Sequence, residues 1–273
     1  MKQGRLIPWF KADAATQMAV DEALFLSYRE GEALPTLRFY GWDPPAISIG
    51  RFQRFTAEVN AASCRRLSVD LVRRPTGGRA VLHEAELAYA LIFGEEDGLG
   101  RTVCETYSRI AQGLLAGLRE LGIAAALQSG RVEEGRDWLD VACFAAVSRQ
   151  EILVNGKKLL GSAQLRQGGS VLQHGSLLTE FDPARLLMAL GRVPTPALCA
   201  ALAARITSCR AVLGRRVETE ELIPPWVRGL SRVMGVDFVP GNLTPREWQM
   251  VKQLRETKYT TARWNERAEV KTM

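Results

Sequence analysis

The dipeptide Asn155-Gly156 constrains the fold of this chain more than any other feature. It separates two apolar runs, 151–154 and 158–164. A two-residue turn of type I′ needs positive φ at both positions, which Asn and Gly accept. An antiparallel strand pair is therefore fixed in mid-chain, and 171–178 reads as a further strand. Upstream, 37–40, 46–49, 70–73, 80–82, 87–93 and 124–127 also read as strands. The segment GWDPP has turn chemistry between the first two, and Gly77-Gly78 makes a second turn.

Helices announce themselves by their caps. Asp13 precedes an apolar stripe of Ala15, Met18, Ala19, Ala23 and Leu26 that ends near Gly31. Thr102 and Glu105 form a capping box before Tyr107, Ile110, Ala111, Leu114, Leu115, Leu118 and Leu121, and Gly122 stops that helix. Asp182-Pro183, Thr195-Pro196 and Thr244-Pro245 each put a cap before an N1 proline, and Glu247 completes another capping box. The pattern predicts an α+β (mixed α/β) fold, with central mixed sheets flanked by helices. It is read as a single domain over 1–273. Residues 182–273 form a mostly helical C-terminal part, and the shift near 182 is a candidate subdomain edge.

Composition narrows the function classes. The chain has 273 residues, 47% hydrophobic and 24% charged, enough to bury a core and too apolar for disorder. No apolar run reaches the roughly 18 residues of a membrane span, and no signal-peptide core is present, so a cytoplasmic protein without membrane contact is expected. Five cysteines without a CxxC and two histidines predict neither a disulfide framework nor a metal site. A net charge of +6 favours an acidic partner. The basic residues are scattered and lack interleaved aromatics, so nucleic acid is not the expected partner.

Four segments carry candidate chemistry. In RRPTGGRAVLH (73–83), Gly77 and Gly78 allow close approach to main-chain N–H groups, and arginines suit an anionic or carbonyl group. The alternative is a plain hairpin turn with surface arginines. No P-loop and no GxGxxG occurs. In DVACFAA (140–146), Cys143 is either a buried structural thiol or a nucleophile toward thioesters. Cys104 is its rival, placed in the first turn of a capped helix where the dipole favours a thiolate. In NGKKLLGSAQLR (155–166), successive strand residues point to opposite faces, so only one of Lys157 and Lys158 can share a face with a pocket. Periodicity does not choose between them. In QHGSLL (173–178), His174 is either a base or a histidine satisfied by backbone.

RRPTGGRAVLH, NGKKLLGSAQLRQ and QHGSLL, in this order, resemble the three sequence blocks of the lipoate-protein ligase A superfamily, which includes the biotin ligase catalytic domain. The likeness runs from about Asp21 to Asp182, with a weaker echo in KYTTARWN (258–265). Two details separate the chain from the ATP-dependent ligases. Arg79 stands where they carry a third glycine, and the segment ending in Cys143-Phe144 is similar to the nucleophile segment of octanoyltransferases. The likeness is to the LipM type. The LipL type carries Cys-Pro-Gly where this chain has Cys143-Phe144-Ala145, and Glu84 stands where relatives often have Asp.

The resemblance implies a biotin/lipoate protein ligase catalytic-domain fold and an octanoyltransferase that needs no cofactor. Octanoyl acyl carrier protein is the implied donor. The glycine cleavage H protein or a lipoyl domain is the implied acceptor. Cys143 and Lys158 are the implied catalytic pair. Arg73, Gly77, Gly78, Arg79, His83, Gly161, Ser162 and His174 are the expected substrate-binding residues, with Arg73, Arg74 and Arg79 at the docking rim. ATP-dependent lipoate or octanoate ligation, LipL-type amidotransfer and a non-catalytic acyl-protein binder are the competing readings.

Overall fold

The computed structural model describes residues 1–55, 59–128 and 151–268. The hairpin predicted at Asn155-Gly156 is present. Both residues have positive φ, 50° and 76°, and Val154 pairs with Lys157 across a two-residue turn. Its arms are β8 (Ile152–Val154) and β9 (Lys157–Gln167). They join β1 (Lys2–Ala12), β2 (Thr36–Trp42), β6 (Glu86–Gly94), β7 (Ala126–Leu127), β10 (Ser170–Leu178) and β11 (Val236–Pro240) in one sheet of order β11-β1-β2-β6-β10-β9-β8-β7. β1 pairs parallel with β11 and β2, and the other pairs are antiparallel. A second sheet holds β4 (Asp70–Arg73), β3 (Ala46–Ile49) and β5 (Val81–His83), in that order.

Helices cover both faces of the large sheet. On one face, α1 (Ala14–Arg29) joins a core of Met18, Tyr40, Ala88, Ala90 and Leu172. After the short α2 (Ala61–Arg66) come α3 (Val103–Glu120), α4 (Pro183–Ala189), α5 (Pro196–Arg205), α6 (Cys209–Leu213), α7 (Thr219–Met234), α8 (Pro245–Leu254) and α9 (Ala262–Arg267). On the opposite face α3 and α7 pack over Tyr89, Leu91, Leu160 and Leu177. The expected caps form. Asp13, Thr102, Asp182, Thr195 and Thr244 each accept a backbone N–H of the first turn, and Glu105 and Glu247 complete their boxes.

The sequence reading has no counterpart for β1, β11 and α2. β1 contains Pro8, whose nitrogen cannot donate to a ladder, and its register with β2 shifts between Ile7 and Phe10. Among the described residues no helix is long and apolar enough to cross a membrane.

Helices α3 and α7 cross at glycines. A Cβ on Gly229 would lie 2.1 Å from the Gly113 carbonyl oxygen, and one on Gly117 would lie 2.4 Å from Trp226. Backbone on both sides leaves no flexible atom to yield. Gly229→Ala is therefore expected to destabilise the fold by about 1–3 kcal/mol through overpacking. A lowered urea midpoint checks this, and an unchanged one contradicts it.

Candidate active site

The two sheets flank a narrow cleft of about 50 Å³. The large sheet contributes Tyr40 and Trp42 from the end of β2, Gly161 to Ala163 from β9, and His174 to Ser176 from β10. Met18 of α1 closes one side. Ser48 of β3, Arg74, Gly78, Val81 and His83 close the other. Of the expected site residues, the cleft thus gathers Gly78, His83, Gly161, Ser162 and His174. Arg73, Gly77, Arg79 and Lys158 are not among its lining residues. A larger depression of about 260 Å³, lined by Leu82, Phe181 and Leu186 with Glu84 and Glu180, holds none of those that are described.

Two buried carboxylates organise the polar side of the cleft. Glu86 Oε1 accepts from Trp42 Nε1 at 2.9 Å and lies 2.7 Å from His83 Nδ1, while its Oε2 accepts from the Ser176 hydroxyl. His83 Nε2 lies 2.7 Å from Ser48 Oγ, and the Trp42 ring stacks on the imidazole at 4.2 Å. Asp21 Oδ2 lies 2.8 Å from His174 Nδ1 and accepts from Tyr40 OH at 3.1 Å, and Asp21 faces the buried Arg38 guanidinium at 3.5 Å. His174 Nε2 lies 2.7 Å from Thr76 Oγ1. A carboxylate can only accept, so Nδ1 of each histidine carries the proton toward it. The motifs missed Asp21, Ser48 and Glu86, and Gln17, whose side-chain oxygen accepts from the Arg38 guanidinium. Their signal is polarity out of place: Gln17 and Asp21 stand four apart inside an apolar helical stripe, and Glu86 follows His83 by three at the head of an apolar strand.

The arginines of the glycine turn face inward. Arg73 is 1% exposed and Arg74 4%, so the docking rim expected of them is corrected. The Arg73 guanidinium donates to the carbonyls of Gly50, Arg51, Gln53, Trp264 and Asn265, at 2.8 to 3.1 Å, and latches α9 to the turn. Arg74 donates to carbonyls of Ser48, Gly77 and Arg79 and to the Ser48 hydroxyl. Backbone carbonyls around the turn and in α9 have captured the Arg73 side chain, and those of Ser48, Gly77 and Arg79 the Arg74 side chain. Arg79 itself is half-buried. Gly78, with φ of 90°, takes a left-handed conformation, and its carbonyl packs where a Cβ on Gly50 would stand, at 1.9 Å.

The lysine pair separates as alternation requires. Lys157 is half-buried, and its Nζ donates to the Ala203 carbonyl at 2.8 Å. Lys158 is fully buried, and its Nζ bonds Glu151. Strict alternation from Leu160, a core residue, would turn Lys158 toward that same core. A β-bulge prevents this. Ile152 pairs with Leu160 and Leu153 with Lys158, so Leu159 is an extra residue, and Leu159 and Leu160 both enter the core under α3 and α7. The insertion puts Lys158 on the face that Gly161 shares with Ser176 and His174.

Cys143 lies outside the described residues. Among the other thiols, Cys64 and Cys209 are buried, and burial pushes the Cys64 thiol up and that of Cys209 up to about 12. Both are thereby poor nucleophiles. Cys104 is exposed in the first turn of α3 and is not part of the cleft wall. Among the described residues no cluster of His, Cys, Asp or Glu could hold a metal ion.

Burial pushes the His174 imidazole below its ordinary value of 6.5, outweighing the opposing pull of Asp21. The unfolded chain then binds a proton that the fold resists, so His174 contributes stability that is lost as pH falls below about 6.5. Of the two imidazoles in this chain, that of His174 is expected to titrate below 6.5 in an NMR pH series. A midpoint at or above 6.5 contradicts this.

Comparison with known proteins shows the family and the fold. The family model of the lipoyl protein ligase A/B catalytic domain matches residues 13–231. Octanoyltransferase LipM of Symbiobacterium thermophilum is 43% identical over 92% of this chain and 93% of its own length. The LipM of Moorella thermoacetica is 42% identical over 96% and 97%. Among solved structures, a lipoate-protein ligase A bound with ATP superposes with a TM-score of 0.80 at 24% identity, over 97% of this chain and 98% of the other. A bipartite lipoate protein ligase from Thermoplasma acidophilum superposes with 0.82 at 23% identity, over the whole of both chains. These two likenesses show the shared fold.

Proposed function

The chain belongs to the lipoyl protein ligase A/B catalytic-domain family and, within it, to the LipM octanoyltransferases, and on that premise we propose that it moves octanoate between proteins through a thioester on Cys143. The observation that carries the reading is Lys158, fully buried on the cleft face of β9, three residues from the Gly161 wall. A lysine held there can give and take a proton beside a reacting thioester.

The cycle opens with transfer of the Cys143 thiol proton to Lys158. The thiolate attacks the thioester of octanoyl acyl carrier protein, and the leaving pantetheine thiolate takes a proton from Lys158. The resulting acyl-enzyme meets the ε-amine of a lysine on a lipoyl domain or on the glycine cleavage H protein. The attacking amine passes a proton to Lys158, the amide forms, and the Cys143 thiolate leaves. Each half restores what the other consumed. Converting a thioester to an amide runs downhill, so no ATP is required.

The cleft suits the tail. Met18, Tyr40, Trp42, Val81 and Ala163 supply apolar wall, and Gly78, Gly161 and Gly175 let the chain lie close to backbone. At about 0.8 kcal/mol per methylene, an octanoyl tail supplies roughly 5 kcal/mol. One methylene changes affinity only about fourfold, so selection of length requires a closed end. The +6 net charge assists encounter with acidic carrier proteins.

Incubation with octanoyl carrier protein is expected to add one octanoyl mass to the intact protein. Cys143→Ala abolishes the adduct and Cys104→Ala keeps it. The reverse pattern assigns the chemistry to the rival thiol. Lys158→Ala is expected to slow transfer about a hundredfold or more with the fold retained, and a larger loss in Lys157→Ala contradicts the assignment. Adenylate formation from free octanoate and ATP would favour the ligase reading instead.

A further inference from the structure

Glu151 belongs to no motif and to no step above, yet its carboxylate bonds the Lys158 ammonium. We propose that Glu151 is a positioning residue, which holds Lys158 Nζ at the cleft end of β9. The inference rests on the reading of Lys158 as the proton carrier.

The strand register carries the argument. Lys158 stands opposite Leu153. Glu151 precedes Leu153 by two residues and therefore shares its face, the face of Lys158. The antiparallel sense places Glu151 about 6–7 Å along β9 from that level, in the direction of Gly161. A lysine that reaches for Glu151 therefore extends toward the cleft wall. Both backbones are anchored from outside the hairpin. Gln128 N donates to the Glu151 carbonyl at 2.8 Å, and Thr207 N donates to the Lys158 carbonyl at 2.9 Å. The two charges meet in an environment where Lys158 is fully buried and Glu151 is 5% exposed, so the ammonium gains far more from this partner than it would in water. The carboxylate fixes where the proton carrier stands before substrate arrives.

A structural ion pair would show the same contact, so the test is a double-mutant cycle. Formation of the acyl-enzyme from octanoyl carrier protein is timed by intact-protein mass spectrometry in the natural protein, Glu151→Gln, Lys158→Ala and the double variant. Glu151→Gln is expected to slow formation at saturating donor about tenfold or more, with KM moved less than about twofold. Glu151→Asp, which keeps the charge, regains part of the rate. In the Lys158→Ala background, Glu151→Gln costs less than about twofold, since a residue acting through Lys158 has nothing left to act on. Equal slowing with and without Lys158, or no slowing with it, overturns the proposal. A full rate in Lys158→Ala alone would instead remove the role of the lysine, and this inference with it. Should Glu151→Gln fail to fold, Glu151→Asp carries the same cycle.

Discussion

A carboxylate taken out of water must be surrounded by donors, and Glu86 is the carboxylate on which the two sheets close. It sits at the start of β6 in the large sheet. Its donors come from β2, through Trp42, from β10, through Ser176, and from β5 of the small sheet, through His83. Removing any donor leaves charge exposed to a low-dielectric interior, so the three strands are tied to one geometry. The cleft is the space this junction leaves between the sheets. Asp21 repeats the arrangement from the helix side, drawing His174 and Tyr40 to α1. The polar half of the cleft is thereby built from side chains already committed to one another, and the apolar half is left for a guest.

What the sequence disclosed and what it withheld follow from the range of the interactions involved. Caps, the Asn155-Gly156 turn and the apolar periodicity of α3 are set within a few residues, and all were legible. β1 and β11 owe their existence to pairing with partners far along the chain, and the proline in β1 hides its pattern. Arg73 and Arg74 read as surface charge because arginines usually are. Their burial depends on carbonyls that only the folded turn and α9 bring together. The choice between Lys157 and Lys158 escaped periodicity for a sharper reason. Alternation is a rule about uninterrupted strands, and β9 is interrupted at the point that matters.

The electrostatic order of the site has a similar layering. The ionisable pairs close to or within the cleft include His83 with Glu86, His174 with Asp21, and Lys158 with Glu151. The first two lock walls in place. The third joins two residues of one hairpin and leaves the sheets free of it. The pairs that lock the walls are separate from the Lys158–Glu151 pair, so a change in one need not loosen the other.

The extra residue at Leu159 has a consequence for what defines this kind of protein. A β-strand reads out its residues in twos, and Leu159 acts as a one-letter insertion in that frame. Were it deleted, the same lysine in the same motif would deliver its ammonium to the oily side of the sheet. The count of residues between the turn and Gly161 therefore decides which side of the sheet the lysine takes. A chain that keeps the lysine but loses the count would present it on the opposite side of the sheet.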